Sequence, residues 1–158
     1  MSKRFNLYLG KAGQLVTMSE FLARGWNVAT PEVDVGDDLF VVEDKKGLFQ
    51  RVQVKTAQAI ERLDSYSVQF NIPLHQLEAA IAPEIYYVLL VRKQNKWSDL
   101  LIIPRKTLWG LYEEHQIGTI VKNNLMLYMS FKKPFVTCSK VDFTPFMDNF
   151  EDFPIIEH

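Results

Sequence analysis

Three side chains able to do chemistry together stand in two short apolar stretches of this sequence: Asp38 at the start of residues 38–43, and Gln53 and Lys55 within residues 48–56. Asp44-Lys45-Lys46-Gly47 lies between the stretches and reads as a four-residue hairpin loop with glycine last. Glu43 then faces Leu48, and stepping back along both strands brings Asp38 opposite Gln53. Alternation puts Leu39, Val41, Val52 and Val54 on one apolar face and Asp38, Phe40, Arg51, Gln53 and Lys55 on the other. A one-residue slip would mix Asp38 and Phe40 with the valines, so the pattern selects this register. Facing residues have Cβ atoms about 5 Å apart, near enough for Asp38 and Gln53 to share a ligand. Their side-chain oxygens and the Val54 carbonyl are hard donors of the kind Mg²⁺ accepts. A lysine one pleat further can orient a water or stabilise charge on a phosphate. The plainer alternative is a surface Asp–Lys pair beside an amphipathic hairpin.

The elements that must hold this hairpin follow from periodicity. Residues 10–24 read as a helix, with Leu15, Met18 and Leu22 on one stripe and Gly25 as the stop. Residues 26–30 form a short strand ended by Pro31, and residues 66–72 alternate as another. Pro73 opens a helix through residue 82, with Leu74, Leu77 and Ile81 inward. Residues 85–92 and 97–103 make a second strand pair, Pro104 starts a helix to residue 116, and residues 125–131 form a late strand. This order predicts an α/β fold with a mixed sheet.

Size and composition fit one domain with a real core: 158 residues, 47% hydrophobic and 23% charged. No apolar run approaches the roughly 20 residues of a membrane helix, and the N-terminus lacks the apolar core of a signal peptide. A single cysteine, Cys138, excludes an internal disulfide framework, and the expected setting is cytoplasmic. No Cys and His set has zinc-ligand spacing. The net charge is −1, but five of the 19 acidic residues fall in 142–158, where no Lys or Arg occurs. The remaining 14 face 18 basic residues in 1–141, a mildly positive body with an acidic, Phe-rich tail. We therefore divide the chain into a domain, 1–141, and a tail, 142–158. Phe143, Phe146, Phe150 and Phe153 dock the tail on the body or on a second copy in a homo-oligomer. A further alternative is a DNA-mimicking tail lying over the site.

The run of a helix, Gly25-Trp26-Asn27-Val28, then Val-Gly-Asp-Asp-Leu-Phe-Val-Val-Glu at 35–43 and Phe-Gln-Arg-Val-Gln-Val-Lys-Thr-Ala at 49–57 resembles the PD-(D/E)XK nuclease superfamily. It is most similar to the branch whose third motif reads Gln-Val-Lys, found in small bacterial endonuclease-like proteins and an intron homing endonuclease. The resemblance spans residues 10–58. It implies a restriction-endonuclease-like αβββαβ core around a central mixed sheet, and Mg²⁺- or Mn²⁺-dependent hydrolysis of DNA. It also implies that Asp38, Gln53 and the Val54 carbonyl bind the metal and that Lys55 assists water attack. Gln14 stands where family members often carry a helix-borne Glu, and would support the water or metal shell. Glu20 is the nearest acid on that helix, but six residues turn it about 240° from Gln14.

Other candidates carry less. Asp37 points away from Asp38 if the strand begins there, and Asp34 is a further nearby carboxylate. His75 reads as a cap or surface residue, His115 as the close of an apolar stripe, and Cys138 as an inert thiol. Arg105 and Lys106 open a helix, where free N–H groups attract phosphate. Three readings remain: an endonuclease, a nucleic-acid-binding module that has lost cleavage, and a dimeric interaction protein.

Overall fold

The computed structural model describes residues 2–33 and 35–158. Its first element, α1 (Lys3–Ala23), starts seven residues before the expected Gly10, because Ser2 caps it by accepting the Phe5 N–H on Oγ at 3.2 Å. The inward stripe also differs from the expected one. Leu9, Gly13, Thr17 and Phe21 are buried, whereas Leu15 and Leu22 are more than half exposed. Small residues at 13 and 17 explain this. They let the helix backbone settle onto the sheet more closely than a leucine stripe permits. A Cβ added at Gly13 would lie only 2.1 Å from Thr56 Oγ1.

Three strands follow: β1 (Asn27–Ala29), β2 (Leu39–Glu43) and β3 (Leu48–Gln58). The β2–β3 hairpin has the expected register, with Leu39 opposite Val52 and Glu43 opposite Leu48. Its turn closes with Gly47 N donating to Glu43 O at 2.8 Å, Gly47 taking a φ of +66° that suits glycine. Next come β4 (Ile60–Glu61), β5 (Tyr66–Pro73) and α2 (Leu74–Glu78), a helix that stops short of the expected residue 82. Ala79 is already extended, and Pro83 disfavours helical backbone just before it. The strand pair β6 (Ile85–Lys93) and β7 (Lys96–Pro104) and the helix α3 (Arg105–His115) fall where expected. Of the closing strands β8 (Thr119–Val121), β9 (Asn124–Lys132), β10 (Phe135–Cys138) and β11 (Val141–Asp142), only β9 was anticipated.

The strands form two sheets, not one. The first is mixed, in the order β1-β2-β3-β6-β7, and contains the α-β-β-β-α-β succession of α1, β1, β2, β3, α2 and β6. The second is antiparallel and built around β5 and β9. Leu39, Val41, Val52 and Val54 lie in a core beneath α1, while the opposite face of the mixed sheet, at Tyr87, Leu89 and Val91, packs on the second sheet. The segment after β11 is part of this packing. Phe153 is fully buried against Phe21, Trp26 and Tyr86, and Trp26 Nε1 donates to Pro154 O at 2.8 Å. Phe150 and Phe153 therefore sit on the valine side of the sheet, the face opposite Gln53 and Lys55, whereas Phe143 and Phe146 pack into the core between the two sheets.

Candidate active site

β3 is shared unequally by its neighbours. β2 pairs with it only from Leu48 to Val52, and β6 runs parallel to it from Arg51 to Gln58. Beyond Val52 the β2 side of the strand has lost its ladder partner, and the Asp38 side chain takes that place. Asp38 N still donates to Val52 O at 2.9 Å, one residue outside the strand. Its Oδ2 then accepts the Val54 N–H at 2.7 Å and the Gln53 Nε2 at 2.5 Å. Gln53 Nε2 also lies 3.5 Å from the Val54 carbonyl. The Gln53 amide thus links the Asp38 carboxylate and the Val54 carbonyl where the two strands part.

The fit to a cation can be read from this contact. The Gln53 NH₂ group, a donor, sits between Asp38 Oδ2 and Val54 O, two acceptors. Turned over, the amide would present Oε1 in place of NH₂ beside these acceptors, and the three groups would together offer a cation three hard oxygens. One carboxylate and two neutral oxygens suit Mg²⁺ or Mn²⁺, which fill remaining positions with water. Among the described residues no three His, Cys, Asp or Glu side chains gather at a metal-binding site.

Gln14 reaches this corner from α1 with its side chain, and what it holds is the Asp38 backbone: Gln14 Nε2 donates to Asp38 O at 2.8 Å, and its Oε1 accepts from Lys11 Nζ at 2.7 Å. It fixes the residue that carries the carboxylate. Lys55 follows Gln53 by one pleat on the same face and lines an open groove of about 460 Å³, together with Asn6, Leu9, Gln58, Gln69 and Asn71. Asp37 has a different role. Its side chain is buried and held by Arg51 through Nη2–Oδ2 at 2.6 Å and Nε contacts at 3.0 and 3.1 Å. Arg51 is therefore committed to an ion pair. Arg105 is likewise buried, bonded to Glu84 and to Leu77 O, which removes it from the expected phosphate contacts. Glu20 pairs with Arg24 at 3.0 Å and lines a hollow with Asp99 and Asp148. Asp34 lies outside the described residues. His75 and His115 are exposed, so His115 closes no apolar stripe, and burial pushes the Cys138 thiol pKa up.

Two neighbours of the corner were not anticipated. Tyr87 pairs with Gln53 across the parallel ladder; burial, more than the nearby Glu84, pushes its hydroxyl pKa up and keeps it protonated. Gln76 of α2 packs over Gly36, whose φ of +107° and closeness to the Gln76 amide leave no room for a side chain in the loop leading to Asp38. No local pattern marks either residue. A glycine two positions before Asp38 was the available signal that something packs there.

No protein-family model matches this chain, and no curated protein matches it. Among solved structures it is similar to the bacterial homing endonuclease I-Ssp6803I, with a TM-score of 0.49 and 19% identity over 80% of this chain and 75% of that one.

Proposed function

We propose that this domain hydrolyses phosphodiester bonds in DNA with Mg²⁺ or Mn²⁺ held by Asp38, the Gln53 amide oxygen and the Val54 carbonyl. The observation that supports this most is that the Gln53 amide lies between the Asp38 carboxylate and the Val54 carbonyl at the parting of β2 and β3, one pleat from Lys55 on the wall of an open groove. The bound ion would supply Lewis-acid neutralisation of the phosphate. Asp38 contributes the site's negative charge, and Gln14 holds its backbone in place. Lys55 orients the attacking water and meets charge developing on the phosphate. A cytoplasmic setting agrees with this reading, because Cys138 is a buried free thiol.

A second reading, a binding module of the same fold without cleavage, is favoured by the amides at Gln14 and Gln53, where a carboxylate would hold a cation more tightly. Titration with Mn²⁺ followed by calorimetry, alongside plasmid cleavage, decides between them. The nuclease reading expects binding and nicking by the wild type, with both lost in Asp38→Ala. Gln53→Glu adds an anionic ligand and should tighten the metal. If wild type neither binds nor cleaves and Gln53→Glu restores neither, only the fold remains.

A further inference from the structure

The outer face of the second sheet is unusual in its chemistry. Its inner positions, Val68, Phe70, Ile72, Leu127 and Met129, are core. Alternation then points Ser67, Gln69, Asn71, Tyr128, Ser130 and Lys132 outward, and the register sets Gln69 beside Tyr128 and Ser67 beside Ser130. Tyr128 is 54% exposed. Across β9, Thr137 of β10 extends the row beside Ser130. Among the described residues at these outward positions the one carboxylate is Asp142, on the far edge strand, where it accepts the Thr144 N–H. The centre of the face is thus amide, hydroxyl and aromatic, and free of anions, on a chain with 19 acidic residues.

This face is continuous with the groove. Gln69 and Asn71 belong to both, so one row of amides runs from Lys55 out onto the sheet. Opposite Gln69, a hollow of about 190 Å³ is lined by Arg62, Ser65, Ser67, Tyr128 and Ser130, with a cation at its rim. Gln69 Nε2 donates to Asn71 Oδ1 at 2.9 Å, so the two amides form one unit that presents Gln69 Oε1 and Asn71 Nδ2 outward. Asn and Gln amides read the N6 and N7 edge of adenine, and antiparallel strands can lie in the major groove. Hydroxyls and a lysine suit the flanking phosphates.

We infer that the outer face of β5 and β9 is a sequence-reading surface for the major groove of duplex DNA, with Gln69 and Asn71 contacting bases, Tyr128 packing beside them, and Ser130 and Lys132 meeting the backbone. This rests on the nuclease reading for its choice of ligand, yet its test needs no cleavage. Fluorescein-labelled duplexes of random sequence are bound in EDTA and low salt, and the retained sequences are enriched over several rounds. The wild type is expected to enrich a sequence containing adenine. Gln69→Ala and Asn71→Ala should each bind that sequence roughly tenfold or more weakly while binding the random pool as before. Lys132→Ala should weaken both equally and reduce the salt slope by about one unit. Ser130→Glu, which puts a carboxylate at the centre of an exposed face without touching the core, should abolish both.

The inference is overturned if no sequence is enriched, or if the face variants bind as wild type does. It is equally overturned if they change only the oligomeric mass seen by light scattering, which would make the face a contact between copies. Duplex binding that depends on the face, with no cleavage under any metal, would sink the nuclease reading and leave this one standing.

Discussion

Asp37 and Asp38 are neighbours in the chain held by different kinds of hydrogen bond. Asp37 is buried beside Arg51, and its charge is cancelled in a two-point guanidinium contact. Asp38 Oδ2 meets an amide NH₂ and a backbone N–H, which are neutral donors. The first arrangement ties a carboxylate to a guanidinium, whereas the second fixes the direction of a carboxylate at the end of a ladder. A carboxylate clamped by arginine in this way is structural. The comparison also explains why adjacent acids need not form a two-carboxylate metal site.

The largest effect should come from breaking the Asp37 clamp. Arg51→Met keeps the side-chain length but leaves Asp37 as a buried, uncompensated charge, at an expected cost of roughly 3–5 kcal/mol in urea unfolding. Asp38→Asn should cost about 1 kcal/mol or less, because its amide oxygen still accepts from Val54 N and Gln53. Equal losses would erase the distinction between the two aspartates. On the activity side, Lys55→Ala should lower cleavage by roughly 10²–10³-fold with Mn²⁺ affinity preserved, whereas Asp38→Asn should lose the metal as well. If both variants retain the metal, Asp38 is not its anionic ligand.

Gln14→Ala removes a hydrogen bond to the Asp38 backbone and should cost about 1 kcal/mol of stability, with weaker metal binding as its separate signature. An unchanged metal affinity would confine Gln14 to packing.

The smallest effect concerns Asp148, an acid whose surroundings resemble neither aspartate. Partial desolvation and the charges of Asp99 and Glu20 raise its pKa, against the pull of Arg24. A raised carboxyl pKa stabilises the fold below the unfolded value, and this is lost as pH rises through the folded value. Asp148→Asn should therefore stabilise at neutral pH by no more than about 0.5 kcal/mol and lose that gain in acid. Asparagine also tolerates the φ of +46° found there. Thermal melts at both pH values measure it, and a gain that persists in acid would rule out the charge as its source.

The β2–β3 hairpin was legible in the sequence because alternation and a glycine-ended turn fixed its register locally. One detail was not. The ladder ends at Leu39, so Asp38 reaches Gln53 by its side chain from beyond the strand. The α1 stripe misled because Leu15 and Leu22 are the strongest apolar signals, yet close seating on a sheet favours Gly13 and Thr17. Asp37 and Arg51 gave no signal of pairing, since their contact depends on the loop before β2. The second sheet was visible only as isolated alternating segments; its long-range pairings, such as Tyr66 with Phe131, have no local signature.

The close seating at Gly13 has a mechanical side. Asn6 and Leu9, from the turns before it, overhang the groove that Lys55 lines. Gly13 rests against Thr56, and Asn6 lies about 10 Å along the helix from that contact. A tilt of about 10° at that contact would swing the Asn6 end by roughly 2 Å, on the scale of a single contact distance. The seating of one helix therefore governs how far Asn6 and Leu9 stand over Lys55, and a bulkier residue at position 13 would push that helix away from Thr56 and change it.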